Sequence, residues 1–200
     1  MYSGHQSRAQ EHPQPSPMNI VLATGIYPPE IGGPATYVCA LARELVQQGH
    51  TVSVITYGSP EAGEGFEVHG VSRSLPILRW ILYAGALRKY ARDADAVIAF
   101  SSVSVGVPLK LAKLKKPKSV LRLGGDFFWE RYTDHGGMKS LCDWYAANPP
   151  SKKWMQKILH PFDHIVFSTA FQKSVYEDAY SVLPPHSVIE NALPSGSPQK

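Results

Sequence analysis

At 200 residues, with 44% hydrophobic and 18% charged residues, the chain can bury the core of one domain and is not a wholly disordered polypeptide. No uncharged apolar run reaches the roughly 18 residues of a membrane span, and no secretory signal is expected, because the N-terminus lacks an apolar core. Two cysteines, Cys39 and Cys142, cannot build a disulfide framework and have no partners at metal-ligand spacing; they fit a reduced, cytoplasmic compartment. The net charge of +4 is unevenly spread: residues 73–122 carry +9 and the rest −5. Lys110, Lys113, Lys115, Lys116 and Lys118 concentrate the excess, either as a solvated helix face or as a surface for anions. No nucleic-acid-binding signature accompanies them, so no nucleic-acid partner is expected.

Residues 1–17 are polar, Pro-rich and without period, and are expected to form a disordered extension. Asn19 to Ala23 is an apolar run suited to a buried parallel strand. A Pro- and Gly-rich loop follows, then a helix from about Thr36 that Gly49 ends. Thr51 to Tyr57 and Phe66 to Val71 read as strands, and Ile77 to Arg92 as a helix. The alternation continues with strands at 96–100, 119–123, 164–167 and 187–189. Helices are expected at 107–114, 153–159 and 169–180, and residues 124–152 as a long irregular stretch. Strands alternating with helices at this spacing predict an α/β fold, a Rossmann-like doubly wound parallel sheet in a single domain over 18–193. Residues 194–200 read as a linker or tail.

Ligands of such sheets bind beyond the carboxyl ends of the strands, and two loops there carry chemistry. In the first, Gly32-Gly33 precedes a helix N-terminus, where backbone N–H groups and the helix dipole favour an anion. A tight turn that needs glycine explains the same residues. Neither G-x-G-x-x-G nor a P-loop is present. In the second, Gly124-Gly125-Asp126 ends a strand and runs into Trp129-Glu130. Asp126 is placed to act as a general base or to orient a sugar hydroxyl, and Glu130 to do the same or to pair with a cation. Residues 127–154 hold seven aromatics, either a binding loop with faces suited to sugars or a hydrophobic cluster that packs the loop down. His135 lies among them. Ser101 and Ser102 end a strand without a placeable His–Asp pair.

These residues together resemble family 4 glycosyltransferases. The resemblance is carried by Tyr27-Pro28-Pro29, Gly32-Gly33-Pro34, Leu41 to Leu45, Gly49-His50 and Thr51 to Thr56. It continues in His164-Ile165-Val166-Phe167-Ser168, Tyr176 and Pro184 to Asn191. Gly125-Asp126 with Trp129-Glu130 is similar to a Gly-Asp-x-x-Trp-Glu stretch of a bacterial subgroup. The resemblance implies the N-terminal, acceptor-side domain of a GT-B enzyme. Such an enzyme transfers a hexosyl group from a nucleotide-sugar with retention, using no cofactor and no metal. It implies Asp126 as the catalytic residue, in place of a His that many relatives carry there. It also implies Gly32, Gly33, Gly125, Trp129, Glu130 and Ser168 as substrate- or phosphate-binding residues.

Asn191-Ala192 stands where Asn-Gly is usual, at the expected interdomain linker. The chain is therefore expected to need a C-terminal donor domain, in cis or in trans, and to be inactive alone. A glycan or lipid-linked acceptor is implied, with peripheral contact at the inner membrane face through Leu109 to Lys118. The alternative is a non-catalytic half-domain that holds a glycan or a protein partner. A nicotinamide or methyl-donor enzyme is disfavoured, because Tyr57-Gly58-Ser59 supplies no acidic ribose-binding residue.

Overall fold

The computed structural model describes residues 16–73 and 75–191. Nearly all of the expected N-terminal extension, and the expected linker at 194–200, lie outside the described residues. Seven strands form one parallel sheet in the order β3-β2-β1-β4-β5-β6-β7. They are β1 (Asn19–Ala23), β2 (Thr51–Tyr57), β3 (Glu67–Val71), β4 (Ala96–Ala99), β5 (Lys118–Leu123), β6 (His164–Phe167) and β7 (His186–Val188). The helices are α1 (Gly33–Gln47), α2 (Pro76–Tyr90), α3 (Gly106–Ala112), α4 (Phe127–Asp134), α5 (Leu141–Ala146), α6 (Ser151–Leu159) and α7 (Ala170–Ala179). The doubly wound α/β fold expected from the alternation is the fold observed.

Side chains alternate across β1 and divide the core in two. Ile20 and Leu22 pack with Val38 and Ala42 of α1. Val21 and Ala23 join Tyr83 and Leu87 of α2, Leu121, Phe167 and Tyr176 on the opposite face. A parallel strand covered on both faces has to be apolar throughout, which is why β1 reads as a continuous run. Carboxylate contacts at the surface tie the amino ends of the strands. Asp95 accepts the Asn19 N–H at 2.8 Å, and Asp163 accepts both the N–H and the hydroxyl of Ser119 at 2.8 Å. At the other end the buried Tyr83 hydroxyl lies 2.9 and 2.7 Å from the carbonyls of Thr24 and Ile55.

Two local expectations are corrected. First, α1 starts at Gly33, three residues before the expected Thr36, because Pro34 occupies its first turn. There its fixed φ is already helical and its missing N–H costs no bond. Gly49 closes the helix with φ of 86° as expected. Second, the stretch expected to be irregular holds two short helices. Asp126 caps α4 and Ser140 caps α5. Neither has a clean apolar stripe, and α4 has no fully buried residue, so periodicity does not reveal them.

Leu22 is completely buried at the centre of the sheet. Leu22→Ala is expected to cost about 2–5 kcal/mol. Urea unfolding should show a lower midpoint at unchanged slope.

Candidate functional site

The crossovers leave β1 and β4 on opposite faces of the sheet, so the loops that follow these two strands part. Between them lies a cavity of about 650 Å³, within the range that holds small ligands. Gly25 and Ile26 line it after β1, and Ser101, Ser102 and Ser104 after β4. Gly33, Pro34 and Tyr37 enter from the start of α1, Gly124 and Gly125 from the end of β5, and Glu130 from α4.

The cavity is cationic. Arg73, Arg79 and Arg122 line it, against Glu130 as the one acidic lining residue among the described residues. Arg73 pairs with Glu30 at 2.5 Å. Arg79 has its Nε buried with no hydrogen-bond partner among the described residues. Arg122 is almost fully buried, although it sits in a central strand. Its guanidinium lies 4.4 Å from the centre of the Tyr37 ring and donates to the Ile189 carbonyl at 3.0 Å and to Asn191 Oδ1 at 2.5 Å. Burial pushes the Tyr57 hydroxyl up to about 12, while the Arg79 charge pulls the other way.

The glycines have separate tasks. A Cβ on Gly33 would meet nothing within 4 Å, so the start of α1 presents bare backbone to open cavity. With no side-chain cap and no acidic residue in its first turn, this helix end keeps its partial positive charge unanswered. Gly32 is not among the residues that line the cavity; a Cβ there would come within 2.8 Å of Ile26 Cδ1, so a side chain at this position requires Ile26 to shift. A Cβ on Gly125 would collide with Glu130 Oε1, so Gly125 makes room for that carboxylate. Burial raises the Glu130 pKa first, with the negative charges of Asp126 and Asp134 adding to it.

Asp126 occupies a different place from the one expected of a catalytic base. It is 2% exposed and is absent from the cavity lining. Oδ1 accepts the N–H groups of Phe128 and Trp129 at 3.0 and 2.9 Å. Oδ2 accepts the hydroxyls of Tyr145 and, at 2.6 Å, Tyr176. The Tyr180 hydroxyl donates to that of Tyr145 at 3.0 Å. Burial and then the neighbouring Tyr176 and Asp126 charges hold the Tyr145 hydroxyl far above its ordinary pKa. With four donors on its two oxygens, Asp126 organises the loop and leaves Glu130 as the carboxylate facing the cavity. Trp129 also turns away, donating its indole N–H to the Lys139 carbonyl at 3.0 Å. Ser168 directly follows β6 and lies outside the cavity, with its hydroxyl 3.4 Å from Gln172 Oε1.

Of the seven expected site residues, the structure thus brings Gly33, Gly125 and Glu130 to the cavity, and sets Gly32, Asp126, Trp129 and Ser168 outside it. Phe127 is the aromatic of the α4 segment that reaches the lining; Tyr145 is buried beside Tyr176 and Tyr180. His135 contacts the Arg131 carbonyl at 2.7 Å and lies outside the cavity. The three arginines escaped sequence reasoning. Arg122 alone left a signal, a charge interrupting the apolar run of β5.

A family model described as Glycosyltransferase Family 4 matches residues 31–194. The chain belongs to that family. No curated protein sequence matches the chain. Among solved structures it is similar to a sucrose-phosphate synthase from Thermosynechococcus elongatus, at a TM-score of 0.62 and 14% identity over 86% of this chain and 48% of that one. It is also similar to Anabaena HepE in complex with UDP, at a TM-score of 0.58 and 12% identity over 88% of this chain and 44% of that one. The chain therefore spans about half the length of the structures it matches. Its fold is that of an N-terminal GT-B domain.

Two outcomes follow from the carboxylates. Asp126→Ala removes a helix cap and leaves two buried hydroxyls without their acceptor, a loss of about 3 kcal/mol or more, to be read by chemical denaturation. Glu130→Gln should act oppositely. A carboxyl with a raised folded pKa binds more protons folded than unfolded, so its contribution to stability falls as pH rises above the ordinary carboxylate range. Glu130→Gln should therefore melt slightly higher than wild type at about pH 8 and equally at about pH 3, where both side chains are neutral.

Proposed function

We propose that this domain is the acceptor-side half of a retaining hexosyltransferase that uses a nucleotide-sugar and is completed by a C-terminal donor domain in cis or in trans. The observation that supports it most is the composition of the cavity: three arginines and a bare helix N-terminus facing one carboxylate. A sugar nucleotide carries a diphosphate beside a neutral, hydroxyl-rich ring, and this charge arrangement complements it. The HepE structures that this fold resembles are complexes with UDP, one of them also with glucose.

In this reading the Gly33 end of α1 and the guanidinium groups of Arg79 and Arg122 answer the negative charge that grows on the leaving phosphate. Glu130 accepts a hydrogen bond from an acceptor hydroxyl and orients it. Transfer forms a bond between that acceptor oxygen and the anomeric carbon and breaks the anomeric carbon–phosphate oxygen bond. The hydroxyl proton passes to the leaving phosphate oxygen. One domain supplies only one wall of such a site. Preorganised charge stabilises a transition state only when every donor is already in place, so the isolated chain has little turnover in this reading.

The chain should be assayed with the donor domain that accompanies it, against a panel of UDP- and GDP-sugars. Turnover is expected with the donor domain and not without it. Gly33→Leu, which fills the cavity from a position with free space around it, should lower kcat/KM by more than about a hundredfold while leaving the melting temperature unchanged or raised. Wild-type turnover by Gly33→Leu would overturn the assignment of this cavity. Binding of sugar nucleotide with no transfer at all would favour a non-catalytic binding module.

A further inference from the structure

Three helices on one face of the sheet have an unusual outer surface. In α2, Ile77, Leu78, Ile81 and Leu82 recur on one side, and that side is turned to solvent; Ile77 is 71% and Ile81 55% exposed. Leu75, just before the helix, is also exposed. The buried side of α2 is equally apolar, through Tyr83, Ala84 and Leu87. A helix on the surface of a soluble domain ordinarily presents polar residues outward. Next to it, α3 exposes Leu111, and α6 exposes Trp154, 67% accessible. The Arg88 guanidinium bonds the Leu111 and Ala112 carbonyls at 2.6 and 3.1 Å and joins α2 to α3. The Lys110 ammonium bonds the Lys157 carbonyl at 3.2 Å and joins α3 to α6. These bonds join the three helices that carry the exposed apolar residues.

The charges on these three helices have one sign, while Asp95 and Asp163 beside them pair with Lys116 and Lys118. Helices α2, α3 and α6 contain seven Lys and Arg residues and no acidic residue. Helices α1, α4, α5 and α7 each contain at least one acidic residue. Exposed Lys113, Lys115 and Lys116 follow α3 directly. Large apolar side chains and an exposed tryptophan set among lysines, with no carboxylate on the same helices, complement an anionic bilayer surface. Among the described residues no helix is long and apolar enough to cross a membrane.

We propose that α2, α3 and α6 form an interfacial docking face that binds an anionic lipid bilayer. Ile77, Ile81 and Trp154 enter the headgroup boundary, and the surrounding lysines and Arg88 meet lipid phosphates. Apolar burial anchors the helix, and charge attraction selects anionic lipid. This face extends beyond the basic segment Leu109 to Lys118, because its apolar anchors sit on α2 and α6. Arg79 of α2 also lines the cavity, so docking would bring the cavity rim close to the bilayer. That consequence rests on the transferase reading, whereas the docking itself does not.

The test uses the whole chain with vesicles and needs neither sugar nor nucleotide, so its failure would leave the transfer assay untouched. Flotation is compared on vesicles of phosphatidylcholine alone and of phosphatidylcholine mixed with phosphatidylglycerol. The expected result is binding to the mixed vesicles only, weakened by added salt, with a blue shift in fluorescence that Trp154→Phe removes. Ile77→Ser/Ile81→Ser and Lys113→Glu/Lys153→Glu should each reduce partitioning by more than about tenfold. All four positions are exposed, so the fold should survive, and circular dichroism checks that it does. Equal binding to both vesicle types, or none to either, overturns the proposal. So does binding that the serine variant leaves intact, which would mark a surface for polyanions in general. A dimer in size-exclusion chromatography that the serine variant dissociates would reassign the face to a second copy of the chain.

Discussion

The routing of the chain around β1 is the constraint on which this structure depends. A crossover between parallel strands is right-handed almost without exception. After β1 the chain goes outward to β2 and places α1 on one face. After β3 it crosses back to β4 and places α2 on the other. The loops that follow β1 and β4 must then diverge, and no side chain has to be chosen for a cleft to open there. What the sequence chooses is how the cleft is furnished: glycine at Gly25, Gly33, Gly124 and Gly125, and arginine on α2 and β5. Stability is arranged elsewhere. The apolar layers and the aspartates at the amino ends of the strands hold the sheet, which leaves the carboxyl ends free to carry the Arg79 Nε–H, unpaired among the described residues, and a partly desolvated carboxylate.

The network around Asp126 shows the same separation on a smaller scale. A buried carboxylate is costly unless its lone pairs are used. Here two backbone N–H groups and two tyrosine hydroxyls use them, so the residue that looks most catalytic becomes the fixture of the site. Its fixed negative charge then acts at a distance: it helps raise the pKa of Glu130, the carboxylate that faces the cavity. Gly125 completes the arrangement by leaving no Cβ where the Glu130 oxygen sits. Gly125, Asp126 and Glu130 therefore form one device that holds a partly desolvated acid at the mouth of a cationic cleft.

Most of the fold was legible because its determinants are local. Runs such as Asn19 to Ala23 and Val52 to Tyr57 are strands by composition, and Gly49 ends α1 by the positive φ it alone tolerates cheaply. The site was less legible because its determinants are not local. Tyr145 and Tyr176 lie 19 and 50 residues from Asp126, and nothing in their flanking residues says that both hydroxyls converge on it. Arg79 reads as one more cation on a helix until the cavity is seen beside it. The short helices α4 and α5 were missed for a related reason: single capping side chains start them, and aromatics distributed all around replace a periodic stripe.

Arg122 connects the cleft to the end of the described chain. Its position on β5 faces α1, where the strand alternation calls for an apolar residue. The guanidinium stacks on Tyr37 and spends its N–H groups on Ile189 and Asn191. A buried arginine satisfied by a carbonyl and an amide keeps its full positive charge without a neutralising partner. Its charge is thus available to the cavity, while its bonds fix the segment through which the chain leaves β7. The position of that segment and the electrostatics of the cleft are therefore set by one side chain.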